Sequence, residues 1–243
     1  MNQRNAMILL VGSLMGLIKP ALAQQAGAWQ VGAGWVHVAP QDSSEPLTFT
    51  SPVVAQIPGS GGNVHSADTL GINITYFVTT HWAVDAAMGI PPKFKLTGTG
   101  SLESIGELGQ ARQWSPAILA KYYFNEGGDR FRPYVGFGLT YTWFTDVEVS
   151  TGLQSALALL VGRPPSTSAA TAKLDSSFSP IVNLGFAYRL NERWGATFAV
   201  SYTPIKTKAY LTTVSAAGAT VARAESSLKI NPITPYLALA YSF

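Results

Sequence analysis

Few side chains in this sequence could carry out acid–base or nucleophilic chemistry. Only His37, His65 and His81 are candidates for a general base near neutral pH. His65 lies in a Gly- and Ser-rich stretch and His81 in a short turn, while the strand pattern around His37 points it outward. The sequence around these three histidines shows neither a metal-binding spacing of His and Asp nor a Gly-rich phosphate loop. The sequence therefore predicts no enzyme, no metal site and no cofactor.

The composition favours a protein whose surface is not fully solvated. Hydrophobic residues make up 47% of the chain and charged residues only 12%, about half the usual charged share of a soluble domain. A secreted β-sandwich, the main alternative, would carry more surface charge. Cysteine is absent, which excludes a disulfide framework and thiolate metal sites. The length of 243 residues suits one β-barrel domain.

The C-terminal end shows the strand pattern in its simplest form. Leu237, Leu239 and Tyr241 alternate with the small residues Ala238 and Ala240. A soluble strand would carry polar side chains on its exposed face. Bulky apolar residues on one face and small ones on the other instead indicate a transmembrane barrel strand facing lipid. Strands of this kind are predicted over residues 29–40, 68–78, 82–90, 112–124, 132–145, 172–190, 193–203 and 236–243.

The connections between these strands alternate in length. Long, polar, Gly- and Ser-rich stretches follow the first, third, fifth and seventh strands and are predicted as loops; the third of them carries Leu153 and Leu157 at helical spacing. Short turns follow the others. The pattern predicts an all-β fold, an eight-stranded antiparallel up-and-down transmembrane β-barrel with long external loops and short periplasmic turns. A lipocalin-like soluble barrel, the alternative, would be polar outside.

The N-terminus carries the features of a secretory signal. Arg4 precedes a short apolar run, and Ala21 and Ala23 match the small-x-small cleavage rule. Because the run is too short to span a bilayer, a retained anchor is disfavoured. We predict a signal peptide over residues 1–23 and the barrel over residues 24–243. Without the signal, 14 basic residues stand against 13 acidic ones, so nothing favours nucleic-acid binding. An exported barrel implies the outer membrane of a Gram-negative bacterium.

Strand parity points four charged residues into the lower, periplasmic half of the lumen: Asp85, Lys121, Arg132 and Arg189. Isolated charges in a narrow interior are costly, so we expect them to pair. We predict a polar plug of the lower lumen, with Asp85 ion-paired to Lys121 or to Arg189. In the alternative interpretation these residues only hold the barrel together.

Higher in the barrel, the same parity predicts an apolar mouth and a side opening. The mouth would be lined by Val36, Val38, Leu119 and Ile181, together with the segment 153–161. Pro91, Pro92 and Pro116 fall on neighbouring predicted strands, where missing ladder donors could open a lateral exit toward lipid. An ordinary strand end with a bulge is the alternative for Pro91 and Pro92.

Several segments in order resemble the OmpW family of small outer-membrane barrels. The resemblance covers nearly the whole chain after residue 23 and rests on residues 26–40, 74–77, 80–83, 132–138, 190–194, 202–207 and 231–232. It implies an eight-stranded barrel with a narrow hydrophobic pocket open to the outside. It also implies a route for small hydrophobic molecules, and receptor roles for the external loops of some members.

Three functions remain open at this stage. The first is a narrow hydrophobic route for small apolar molecules, with outer-membrane lipid and lipopolysaccharide as surroundings. The second is a structural, adhesive or receptor barrel whose loops bind partners, and the third is a lipid-modifying enzyme. The terminal alternation ending in Tyr241 and Phe243 also resembles the signal by which the barrel-assembly machinery recognises its clients. The oligomeric state is not indicated.

Overall fold

The computed structural model describes residues 24–243, so the predicted signal peptide lies outside the described residues. The first nine strands are β1 (Trp29–Val38), β2 (Ser43–Ser44), β3 (Thr48–Ser51), β4 (Ala55–Gln56), β5 (Ser60–Val64), β6 (Ala67–Phe77), β7 (Trp82–Gly89), β8 (Lys93–Gly100) and β9 (Glu107–Trp114). The others are β10 (Ala117–Tyr123), β11 (Phe131–Val149), β12 (Ser168–Leu174), β13 (Ser177–Arg189), β14 (Trp194–Tyr202), β15 (Lys206–Ser215), β16 (Thr220–Lys229) and β17 (Ile233–Ser242). One α-helix, α1 (Thr151–Leu160), and two short 3₁₀ helices (Glu103–Ile105 and Pro165–Thr167) lie among them.

Eight of these strands close into an antiparallel barrel, as predicted. Their order around the barrel is β10, β7, β6, β1, β17, β14, β13 and β11, and β11 pairs with β10 to complete the ring. The first and last strands pair from Gln30 opposite Ser242 to Val36 opposite Tyr236. Closure leaves no open sheet edge toward lipid, which a membrane-spanning sheet requires.

The predicted division between outward and inward faces is confirmed. On β17, Leu237 and Leu239 are more than half exposed, whereas Ala238 and Ala240 are buried. Small inward residues are required where neighbouring strands approach closely in the wall: a Cβ on Gly34 would lie 2.0 Å from the carbonyl oxygen of Leu237 on the paired strand β17. The outward apolar residues therefore form the lipid-facing surface.

Aromatic pairs mark the two ends of this apolar belt. Near the short turns, the rings of Trp82 and Tyr122 lie 5.1 Å apart, and those of Trp194 and Tyr241 also lie 5.1 Å apart. Near the opposite end, Trp114 stacks on Trp143 at 5.8 Å. Two aromatic girdles of this kind flank the hydrocarbon region of outer-membrane barrels.

The long external connections are confirmed, but most of their residues form strands where the sequence predicted loop. Residues 41–67 contain β2 to β5, residues 97–111 include parts of β8 and β9, and residues 209–225 lie mostly in the β15–β16 hairpin. Backbone ladders, such as Gly61 opposite Thr99, hold these strands together. Strands outside the bilayer do not need alternating apolar side chains, because they do not separate lipid from a lumen. The sequence pattern therefore did not identify them as strands.

Two predicted strands are also interrupted, and others differ in length. The strand over residues 112–124 breaks at Ser115 and Pro116, and the strand over residues 172–190 breaks at Asp175 and Ser176. The first strand ends at Val38 rather than residue 40, and β11 extends to Val149 rather than residue 145. The breaks separate the barrel from the outer β-structure, where the chain bends.

The helical spacing is confirmed: α1 begins after Ser150, whose hydroxyl accepts a hydrogen bond from the backbone N–H of Leu153. Its apolar side packs on the outer strands, with Leu157 fully buried beside Leu108 and Leu211. The outer β-structure thus has its own apolar core above the barrel. Among the described residues, no helix is long and apolar enough to cross a bilayer.

Candidate functional site

Two cavities lie one above the other along the barrel. The lower one, which we call the lumen cavity, has a volume of about 190 Å³ and lies within the barrel strands. All four predicted mouth residues line it: Val36, Val38, Leu119 and Ile181. The upper one, the outer cavity, has a volume of about 140 Å³ and lies between α1 and the outer strands. From the 153–161 segment predicted to line the mouth, Leu153 lines this outer cavity and not the lumen cavity. The sequence did not predict a separate outer cavity, because most of its other lining residues lie in segments predicted as loops.

Gln113 lines both cavities. Its amide donates a hydrogen bond to Ser115 Oγ at 2.9 Å, and that hydroxyl shares a 2.9 Å hydrogen bond with Thr142 Oγ1. Gln113 and Thr142 are buried. A short polar chain therefore lies where the two apolar cavities meet. The sequence signal for this residue is its position: Gln113 falls at the inward parity of the predicted strand over residues 112–124.

The floor of the lumen cavity holds an ion pair. Lys121 Nζ lies 2.9 Å from Asp85 Oδ2, and both side chains are almost completely buried. The other carboxylate oxygen of Asp85 accepts hydrogen bonds from Asn73 and Thr75. Burial of a charged pair is tolerated when the remaining lone pairs are satisfied in this way. Of the two partners predicted for Asp85, the structure selects Lys121.

Arg132 does not join this ion pair. An aromatic layer separates the two: Lys121 lies over the Tyr134 ring at 5.0 Å, and the Arg132 guanidinium lies over the Tyr123 ring at 4.8 Å. Arg132 donates hydrogen bonds to the carbonyl oxygens of Gln24, Thr80 and Asn125. The prediction of one four-residue cluster is therefore wrong, and Arg132 instead ties the N-terminal segment and two turns across the periplasmic end.

Arg189 also lies apart from the lumen. It is the last residue of β13, is half-buried, and its guanidinium donates to the carbonyl oxygen of Gly128 in the neighbouring turn. Parity alone placed it inward, but a residue at the strand end lies at the rim, where the side chain reaches the adjacent turn. Arg189 therefore does not pair with Asp85, contrary to one of the two predictions.

The aromatic layer closes the lumen from below. Phe77, Tyr123 and Tyr134 are fully or almost fully buried together with Ala83 and Ala187. The rings of Phe77 and Tyr123 lie 5.2 Å apart, and those of Tyr123 and Tyr134 lie 4.9 Å apart. A molecule in the lumen cavity therefore meets packed rings, then Arg132, before it reaches the periplasmic side.

The three prolines lie outside regular strands. Pro91 and Pro92 connect β7 to β8, and Pro116 lies in the break between β9 and β10. Backbone pairing between this connection and the β5–β6 segment is interrupted. It ends at the hydrogen bond from Ile90 N to Leu70 O and resumes at the hydrogen bond from His65 N to Lys95 O. In the described chain, no backbone hydrogen bond joins residues 66–69 to residues 91–94. The lumen cavity reaches Pro92 at this interruption.

Pro116 does not contribute to that interruption. Its carbonyl accepts hydrogen bonds from Tyr141 N and from Thr140 Oγ1. The N and C=O of a strand residue point to the same side, so its missing donor faces β11. There the pairs Ala117–Thr140 and Trp114–Trp143 continue the ladder on both sides. The prediction that Pro116 opens the wall is therefore wrong.

The histidines and the chain end lie outside the lumen. His37 faces outward, as predicted, with Nδ1 2.8 Å from an Asp68 carboxylate oxygen. At the end of β17, the rings of Tyr241 and Phe243 lie 5.0 Å apart, and Phe243 N donates to the Trp29 carbonyl at 2.9 Å. Within residues 24–243, no three His, Asp or Glu side chains gather as a metal site.

A family model for OmpW matches residues 25–243, which is the whole described barrel apart from its first residue. The chain belongs to the OmpW family. As an OmpW-family member, it is an outer-membrane β-barrel of a Gram-negative bacterium. Outer membrane protein W of Vibrio cholerae is 33% identical over 226 residues, which cover 92% of each chain.

Two further relatives are similar to this OmpW-family barrel over more than nine-tenths of its length. The crystal structure of OprG from Pseudomonas aeruginosa superposes with a TM-score of 0.77 at 27% identity, covering 91% of this chain and 98% of OprG. A Pseudomonas aeruginosa protein named dibenzothiophene metabolism operon protein PahQ is 25% identical over 236 residues, covering 97% of this chain and 98% of the relative.

Proposed function

We propose that this OmpW-family barrel provides a narrow route for small apolar molecules across the outer membrane. The observation that carries the proposal is the stacking of two apolar-lined cavities, one above the barrel and one inside it, which share Gln113. A barrel serving only as a scaffold for binding loops would gain nothing from these voids, since unfilled apolar space lowers stability. The name of the PahQ relative refers to dibenzothiophene, a small apolar heterocycle.

The exit we propose is lateral rather than axial. The aromatic layer and Arg132 close the periplasmic end, whereas the ladder is interrupted beside Pro91 and Pro92 where the lumen cavity reaches the wall. Outward apolar residues flank the interruption, with Met88 and Ile90 more than half exposed. An apolar solute leaving there would enter the hydrocarbon region directly and avoid the costly passage over buried charges.

Two partners belong to the same proposal. The upper girdle would contact the lipopolysaccharide leaflet, and the barrel-assembly machinery would insert the chain through its alternating C-terminal strand. No catalytic step and no cofactor form part of the proposed activity.

Uptake of decane and dibenzothiophene by deletion cells and by cells complemented with the gene tests the proposal. We expect faster uptake with the protein present, and slower uptake when Ala117→Phe fills the lumen cavity, which Ala117 lines. The matched control is Ile118→Phe on the next residue, which faces lipid at 65% exposure. Equal uptake by all strains, with normal protein levels in the membrane, would refute the route and favour a receptor or structural barrel.

A further inference from the structure

Two buried polar atoms in the wall of the lumen cavity have no hydrogen-bond partner. Among the described residues, these are the hydroxyl of Tyr134 and the amide oxygen of Asn183. Both residues line the cavity, and only 2% of Tyr134 and 5% of Asn183 is exposed. Buried polar groups in folded proteins almost always form hydrogen bonds. Two such atoms without a hydrogen bond in one cavity therefore indicate that a ligand supplies the partner.

The two residues lie on the neighbouring strands β11 and β13, and both line the lumen cavity. Tyr134 stands opposite Gly185, and Gly136 stands opposite Asn183. Gly185 has no side chain, and a Cβ there would lie 2.8 Å from the Tyr134 hydroxyl. The phenol ring therefore crosses over β13 at Gly185, two residues from Asn183 on the same inward face.

The surrounding polar groups already have partners. Asp85 is bound by Lys121, Asn73 and Thr75. The Tyr236 hydroxyl donates to Asn73 Oδ1 at 2.9 Å. The amide nitrogen of Asn183 donates to Ser201 Oγ at 2.8 Å. The Tyr134 hydroxyl and the Asn183 amide oxygen therefore remain available to bind a ligand at the floor of the lumen cavity.

We propose that this pair binds the hydroxyl group of a small apolar alcohol whose hydrocarbon part fills the cavity above. A hydroxyl can donate its hydrogen to Asn183 Oδ1 and accept from the Tyr134 O–H at the same time. An alkane leaves both atoms unpaired. A carboxylate has no hydrogen for Asn183, and its charge would be buried without a counterion because Lys121 is already paired with Asp85, so it is excluded.

This inference rests on the proposed function and narrows the class of solute. Two hydrogen bonds gained in a dry site give about a tenfold preference for an alcohol over the matching alkane. The direct test is NMR of the protein in lipid nanodiscs with isotope-labelled tyrosine, titrated separately with decanol, decane and decanoate. The Tyr134 resonance, assigned by its loss in Tyr134→Phe, shifts with decanol and with neither of the others.

A transport readout completes the test. Cells carrying the unchanged protein take up decanol faster than decane, relative to deletion cells, and Tyr134→Phe lowers that ratio. Thr140→Val is the matched control, because it removes a lumen hydroxyl whose acceptor, the Pro116 carbonyl, keeps its hydrogen bond from Tyr141 N, and it retains the ratio. An unmoved Tyr134 resonance with decanol, or an unchanged ratio in Tyr134→Phe, overturns the inference. Uptake of neither solute above deletion cells would instead refute the proposed route.

Discussion

Lys121 Nζ lies 2.9 Å from Asp85 Oδ2, and this ion pair is buried at the floor of the barrel lumen. The pair arises from neighbouring strands: Asp85 stands opposite Leu119, two residues from Lys121 on β10. Removing one partner leaves a buried charge uncompensated, whereas removing both leaves none. The arrangement therefore predicts a strongly non-additive mutant series.

We expect Lys121→Met to lower the free energy of unfolding by about 3–5 kcal/mol. The double variant Lys121→Met with Asp85→Asn should be less destabilised, because Asn73 and Thr75 can still hydrogen-bond the amide. Urea titration of the barrel refolded into lipid vesicles measures both. A double variant as unstable as the single one would show that the charge imbalance is not the cause.

Arg132 should stabilise the periplasmic end of the barrel. Its guanidinium donates to three carbonyl oxygens and lies over two rings. A hydrogen bond to a charged group contributes roughly 1.5–3 kcal/mol, so Arg132→Met should destabilise the barrel by at least about 2 kcal/mol. Arg189→Met, the control at the rim, should have a much smaller effect. Hydrogen exchange of the residue 78–81 turn should accelerate only in Arg132→Met; equal rates in the two variants would contradict the role.

Gln113 should slow the passage between the two cavities. Replacing it with Leu removes a polar side chain that an apolar solute must pass, while Ser115 and Thr142 keep their mutual hydrogen bond. Because one hydrogen bond has a net value of about 1 kcal/mol, decane uptake should rise about two- to tenfold. Gln56→Leu, on an exposed outer strand, is the control. Slower or unchanged uptake in Gln113→Leu would show that the polar chain does not limit passage.

The lateral exit makes a prediction about the prolines. Exchanging Pro91 and Pro92 together for Val supplies two backbone donors. The Pro92 carbonyl accepts from Gln113 N, so the donor at residue 92 would face β9, and the donor at residue 91 is the one that can extend pairing toward β6 past Ile90. Decane uptake should fall, with the folded protein level unchanged. Pro116→Val should have little effect, because its restored donor would face the already paired β11. If the Pro116 variant slowed uptake as much as the double variant, the exit would not lie at residues 91–92.

Deletion of Phe243 should impair assembly more than transport. Its backbone N–H donates to Trp29 and helps to close the barrel, while its ring is mostly exposed beside Tyr241. We expect a lower amount of heat-modifiable folded barrel in outer-membrane fractions, but normal decane uptake per folded molecule. Phe243→Trp, which keeps an aromatic end, serves as the control. Normal folded levels in the deletion would contradict an assembly role.

Much of the barrel could be predicted from the sequence because lipid and lumen impose opposite demands on alternate residues. Leu237 and Ala238 are neighbours in the chain, yet one is exposed and the other buried, and this period of two is visible without coordinates. The outer strands could not be predicted in this way. Gly61 and Thr99 pair through their backbones, and the sequence around them shows no alternation of apolar and small residues.

The sequence by itself determined the number of barrel strands, their faces and the alternation of long and short connections, since each depends on local pattern. Only the tertiary structure decided which inward residues meet. Asp85 pairs with Lys121 rather than Arg189 because β7 lies beside β10 and Arg189 ends at the rim. The Tyr134 ring can cross β13 only because Gly185, which stands opposite it, has no side chain. Such contacts depend on register and closure, which bring together residues far apart in the chain.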